Sequence, residues 1–181
     1  DRTIDDAAAE QLAERLREAT RTRVAVPPLT AERPDLTPAD AYAIQQRVVA
    51  PRLDAGETIV GWKLGLTSKA MQQMVGVDSP DYGPVLASTV YRDGDTIPLD
   101  RFIQPRIEAE IVFVLGDRLV GPGVTVTQAR AAIAGAVAGM EIVDSRIADW
   151  RIKLADTVAD LASNGAMATS SLVVPLDGID P

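Results

Sequence analysis

The chain has no cysteine and no histidine among its 181 residues. The first absence excludes disulfides, thiolate nucleophiles and cysteine-bound zinc together. The second excludes a Ser-His-Asp triad, an imidazole general base and an HExxH zinc site. Any catalysis therefore rests on carboxylates, lysine, tyrosine or serine, or on a metal ion held by oxygen ligands. Positive charge is also short: 18 Lys and Arg against 26 Asp and Glu give a formal net charge of -8. The basic residues are scattered among acids, which argues against nucleic acid or an anionic membrane surface as partner. No run approaches the roughly 20 apolar residues that span a bilayer. The first ten residues are acidic and alanine-rich, unlike a basic-then-apolar secretory signal, so the expectation is a cytoplasmic protein.

What is present fits one domain of globular composition, with 46% hydrophobic and 24% charged residues. Asp5 and Asp6 precede Ala8, Leu12 and Leu16 at helical spacing, which predicts a first amphipathic helix. After a proline-rich connector, Thr37-Pro38-Ala39-Asp40 reads as an N-cap, a first-turn proline and a first-turn acid. Pro51 should end or kink that second helix. From Thr58 to Leu66 the pattern turns strand-like, and a short helical piece around Ala70 to Met74 leads into a turn-prone run from Gly76 to Pro84. Asp93-Gly94 marks a tight turn, and Ile107 to Leu115 a strand. A helix is expected from about Thr127 through Ala136, then strands over Met140 to Val143 and Thr169 to Val174. A short helix near Asp156 lies between those last two strands. The expected organisation is an N-terminal helical region over residues 1–57 and a β-rich catalytic region over 58–181, α+β in class.

The acids of the strand regions are out of place. Glu108 and Glu110 alternate along one strand and so share a face. A solvated face is the plain reading, but Val112 and Val114 continue it, and Ile111, Phe113 and Leu115 continue the other. A strand apolar on both sides is expected to be buried on both sides. Two carboxylates at its mouth would repel and lose hydration unless a cation joins them. A hard divalent ion such as Mg²⁺ or Mn²⁺ suits a site without His or Cys. Glu141, inside the short apolar run Gly139 to Val143, has the same character; the alternatives are an exposed strand residue and an ion pair with Arg146. Lys63, set among glycines and apolar residues, is either a surface lysine lying along the strand or a pocket lysine whose pKa burial would lower.

Several ordered segments resemble one family. They are Gly61-Trp62-Lys63-Leu64-Gly65-Leu66-Thr67-Ser68, Gly76 to Gly83, Gln104-Pro105-Arg106-Ile107-Glu108-Ala109-Glu110-Ile111, Ser145 to Trp150, and Asp156 to Gly165. Together they are similar to the 2-keto-4-pentenoate (2-hydroxypentadienoate) hydratases of the fumarylacetoacetate hydrolase superfamily, and to the related 4-oxalocrotonate decarboxylases. The resemblance implies a mixed β-roll with peripheral helices and a Mg²⁺ or Mn²⁺ ion on Glu108, Glu110 and Glu141. It places the family's pocket lysine on Lys63 and its aspartate on Asp81 rather than Asp78. It assigns substrate or supporting contacts to Ser163, and apolar walls to Leu66 and Val85. Leu161 stands where the family pattern would have a polar Asn. The family's C-terminal strands are expected to be absent, since the sequence stops at Pro181.

The implied reaction is hydration of a short 2-hydroxy-dienoate to a 4-hydroxy-2-oxo acid in the meta-cleavage catabolism of aromatic compounds or steroids. Lys63 and Asp81 would move the protons, in a homo-oligomer that associates with other enzymes of its pathway. The alternatives are decarboxylation of 2-oxo-3-hexenedioate and a non-catalytic subunit of a hydratase-decarboxylase complex. A C–C hydrolase of the superfamily normally calls for a His-containing dyad, which this chain lacks.

Overall fold

A computed structural model describes residues 1–177 of the chain. The Asp5 side chain caps α1 (Asp6–Thr22) by accepting the Ala8 N–H at 2.8 Å. A single turn, α2 (Leu29–Glu32), precedes α3 (Pro38–Asp54), which opens on a reciprocal capping box between Thr37 and Asp40. α3 runs past Pro51 to Asp54 instead of breaking there. Proline leaves the Arg47 carbonyl four residues back without its helical donor. The Arg17 guanidinium of α1 supplies the missing bond at 2.8 Å.

Leu12, Leu16, Leu29, Ile44 and Ile147 bury one core with Val158 of α6 (Leu154–Ala159). Two buried carboxylates stitch this layer. Asp40 accepts the N–H groups of Thr3 and Ile4, and Asp156 accepts the N–H and hydroxyl of Thr30. Gln45 of α3 donates to the carbonyls of Tyr82 and Val158, tying the helices to the first sheet.

That sheet is the antiparallel pair β1 (Ile59–Gly65) and β2 (Asp81–Leu86), joined through α4 (Lys69–Val75). The second sheet holds β3 (Val90–Arg92), β4 (Arg106–Leu115), β5 (Ile133–Val143) and β6 (Asn164–Thr169). Its order is β3-β6-β5-β4; the β3–β6 pair is parallel and the other pairs antiparallel. The turn α5 (Val126–Ala132) joins β4 to β5, and a small core of Phe102, Ile142 and Ala166 lies under this sheet. The class is α+β with mixed sheets.

Four expectations are corrected. The helix read through Ala136 stops at Ala132, and the strand begins at Ile133, seven residues ahead of the predicted Met140. The alanines there favour helix locally, but pairing with β4 along its whole length wins. The turn-prone run up to Pro84 hides β2, which starts at Asp81. The last strand spans Asn164–Thr169 in place of Thr169 to Val174, where a single bridge from Ala136 to Val174 remains. Finally, β4 is an edge strand; Ile107, Ile111, Phe113 and Leu115 are exposed among the described residues, not buried on both sides.

Candidate active site

Pairing of β4 with β5 sets Glu108 directly opposite Glu141, while Glu110 faces Gly139. Directly opposed residues of an antiparallel pair share a face. The three glutamates therefore lie on one face, and a carboxylate oxygen from each comes within 4.8 Å of the others. The register is fixed from the end next to Glu108. Asp144, one residue past β5, accepts the N–H groups of Ile103 and Gln104, which lead into β4. Glu108 is exposed and Glu110 half-buried, whereas Glu141 is 1% exposed.

β1 and β2 supply the opposing groups. Gly61, Lys63 and Gly65 pair with Val85, Gly83 and Asp81, so Lys63, Asp81 and Val85 share one face. Lys63 Nζ lies 3.3 Å from Glu141 Oε2 and donates to the Ala162 carbonyl at 2.9 Å. Its side chain is 9% exposed, which removes the surface-lysine alternative. Asp81 is buried, and its Oδ1 has no hydrogen-bond partner among the described residues. The carboxylate fits because residue 65 is glycine; a Cβ there would lie 2.1 Å from Asp81 Oδ1. Asp78 is exposed in the preceding turn. Leu66, with φ 56°, follows Gly65 and is half-buried, its carbonyl accepting from Gln72.

Burial pushes the carboxyls of Glu141 and Asp81 above their ordinary pKa. In both, Lys63 pulls the other way, and Glu108 adds to the rise at Glu141. The third wall is the segment before β6. Ser163 is buried and its hydroxyl meets that of Thr157 at 3.1 Å, while Asn164 donates to Glu141 Oε1 at 2.9 Å. Leu161 in place of a polar residue does not leave Ser163 without a partner, because Thr157 serves it; the Leu161 side chain packs on the helical core. Arg146, weighed as a partner of Glu141, pairs with Asp160 instead.

Asn164, Thr157 and the Ala162 carbonyl received no role from the sequence. Asn164 directly follows Ser163 in a quoted motif, so a signal existed for it. The carbonyl carries none.

Three carboxylates converging in a chain without His or Cys form a donor set for a hard divalent cation. The electrostatics agree: clustered, partly desolvated carboxylates, with one lysine beside Glu141, leave negative charge for a cation to neutralise. The arrangement can grip an oxygen-rich anionic substrate through such an ion and hold a lysine and a buried carboxyl near it for proton transfer.

Fold and site together define the class, and the chain belongs to the fumarylacetoacetate (FAA) hydrolase family, whose C-terminal model matches residues 58–181. Among individual relatives, it is 42% identical over 178 residues to a 2-hydroxypent-2,4-dienoate hydratase of Pseudomonas putida, covering 98% of this chain and 80% of the relative. It is 45% identical to a 2-keto-4-pentenoate hydratase of Burkholderia vietnamiensis, covering 97% of this chain and 67% of the relative. A solved 4-oxalocrotonate decarboxylase from Pseudomonas putida, complexed with magnesium and adipate, superposes with a TM-score of 0.94 at 32% identity. That match covers 99% of this chain and 68% of the solved one.

Proposed function

We propose that this chain is a metal-dependent hydro-lyase that adds water to 2-hydroxypenta-2,4-dienoate, giving 4-hydroxy-2-oxopentanoate. The observation that carries the reading is the meeting of Glu108, Glu110 and Glu141 beside Lys63 in a chain whose relatives are named hydratases. Glu108, Glu110 and Glu141 would hold Mg²⁺ or Mn²⁺. When bound, the ion would supply Lewis-acid chemistry to the 2-oxo acid end of the substrate. Lys63 Nζ, held between Glu141 and the Ala162 carbonyl, exchanges a proton with the substrate as the dienol becomes the ketone. Asp81, whose burial favours its protonated form, is the second proton carrier. Ser163 orients the substrate, and Leu66 and Val85 line its apolar end. Water then adds at the far carbon of the unsaturated ketone.

Exposed apolar residues on β1 and β4, among them Trp62, Leu64, Ile111 and Phe113, support assembly with further copies. We place the reaction in the cytoplasm, in the meta-cleavage catabolism of aromatic compounds or steroids alongside its pathway enzymes; no described helix is long and apolar enough to cross a membrane.

Decarboxylation of 2-oxo-3-hexenedioate is the second reading, favoured by the solved decarboxylase. Its substrate carries a distal carboxylate that calls for a cation. Arg146 is engaged by Asp160 and Arg151 pairs with Asp149, while Arg106 stacks 4.3 Å over Trp150 on the Glu108 face of β4. Feeding both substrates with Mg²⁺ and following hydration against CO₂ release tests the choice. Hydration of the pentadienoate that is abolished by EDTA is expected; CO₂ release alone, or turnover indifferent to EDTA, would refute the hydratase reading.

A further inference from the structure

Arg146 follows the end of β5 and is buried. Its Nε and its backbone N–H both donate to the Asp160 carboxylate, which also accepts the Ser145 hydroxyl at 3.2 Å. Its terminal nitrogens reach further, Nη2 to the Asp160 carbonyl at 2.7 Å and Nη1 to the Asn164 carbonyl at 3.0 Å. Those two carbonyls bracket Leu161, Ala162 and Ser163, whose φ angles are 58°, 52° and 56°. Three successive left-handed residues that carry side chains are unfavourable, because each Cβ crowds the following carbonyl. Such a run persists only where its surroundings dictate it.

The surroundings do so here. Gly83 admits the turn, since a Cβ at that position would lie 2.1 Å from the Leu161 carbonyl oxygen. The Ser163 N–H closes the turn onto the Asp160 carbonyl at 2.8 Å. Everything this segment offers the site then follows from its shape: the Ala162 carbonyl to Lys63, the Ser163 hydroxyl, and the Asn164 amide to Glu141.

We propose that Arg146, anchored by Asp160, is a positioning residue whose guanidinium fixes the left-handed turn and through it sets Lys63 and the Asn164–Glu141 bond. The assignment rests on the metal-centre reading above. Arginine is required because its planar fork serves a carboxylate and two carbonyls at once, whereas the single nitrogen of lysine cannot span them. Burial pushes the Asp160 carboxyl up to about 6, and Arg146 is the largest pull in the opposite direction, so each partner depends on the other.

The test is Arg146→Lys in the intact protein, alone and together with Ala162→Gly, with kcat and KM for 2-hydroxypenta-2,4-dienoate measured per folded molecule. Mg²⁺ affinity is measured in parallel by calorimetry with oxalate present. We expect kcat to fall about 30- to 100-fold with KM changed less than about threefold, and Mg²⁺ binding to weaken about tenfold. Glycine takes the left-handed conformation without penalty, so in the Ala162→Gly background the kcat loss should shrink to about tenfold or less. Should Arg146→Lys not fold, Arg146→Met with Asp160→Leu removes the pair without stranding a buried charge and is read in the same two backgrounds. An unchanged kcat, or an equal loss in both backgrounds, overturns the proposal. Failure of the unaltered protein to bind Mg²⁺ overturns the metal-centre reading itself, and the proposal with it.

Discussion

The helical layer and the sheet face bury carboxylates in opposite ways. Asp40 in the helices accepts N–H groups from Thr3, Ile4 and Thr37 together with the Thr37 hydroxyl, and its pKa is driven down by those hydrogen bonds against its burial. Asp156 is likewise saturated, by Thr30 and the Lys153 N–H. On the sheet face, Asp81 keeps an oxygen without a partner among the described residues and Glu141 sits among other carboxylates, and burial moves both upward. Acids that hold a fold together are given as many donors as they can accept. Asp81, buried with an oxygen that lacks a donor among the described residues, and Glu141, buried against another carboxylate, mark a place where something else is to bind.

The largest expected effect breaks the sheet-face half of this contrast. Glu141→Gln should lower Mg²⁺-dependent turnover by about 10³-fold or more, while the melting temperature of the metal-free protein changes little, because relief of carboxylate crowding offsets the lost partner of Lys63. Steady-state kinetics beside thermal unfolding in EDTA check both halves. Next comes Gly65→Ala, whose Cβ would occupy the place of Asp81 Oδ1. Turnover should fall by about 10²-fold, the range of a lost proton carrier, with Mg²⁺ affinity by calorimetry nearly unchanged.

The helical half is tested by Asp40→Ala, which strands the N–H groups of Thr3, Ile4 and Thr37 and breaks the reciprocal half of the α3 capping box. It should cost about 2–3 kcal/mol, read by denaturant unfolding, and leave kcat per folded molecule intact. An Asp40→Ala that lost Mg²⁺ binding, or a Glu141→Gln that lost only stability, would dissolve the distinction.

How much of this was legible beforehand differs by distance along the chain. Glu108 and Glu110 share a face by the period of a strand, and the caps at Asp5 and Thr37 are local, so both were readable. That Glu141 lies opposite Glu108 depends on register between strands separated by a turn and a helix, which no spacing encodes. β2 was hidden because Pro80, Gly83 and Pro84 read as turn formers, yet Gly83 is required by the close approach of Leu161. The left-handed turn was invisible, since Leu161, Ala162 and Ser163 have no sequence preference for that conformation and adopt it under Arg146.

The smallest effect is a pH dependence of opposite sign in the two regions. Glu141 and Asp81, with ordinary values of 4.5 and 3.8, are raised in the fold, so they favour it when protonated. Their contribution is present below those values and is lost as pH rises through the raised ones. Asp40 is lowered from 3.8, so its contribution is present above that value and is lost as pH falls towards its folded one. In EDTA, stability should therefore decline as pH rises beyond the ordinary values of the site acids, and saturating Mg²⁺ should flatten that limb by binding the ionised form. Melting curves across pH with and without Mg²⁺, repeated for Glu141→Gln, show whether the limb belongs to the site.

The central claim, that the three clustered glutamates form one divalent-cation centre, is tested most directly by anomalous diffraction from crystals soaked in Mn²⁺. A single strong peak should appear roughly 2 Å from one oxygen each of Glu108, Glu110 and Glu141. No peak there at saturating Mn²⁺, or a peak that engages Asp81 and leaves Glu141 to Lys63 alone, would contradict it.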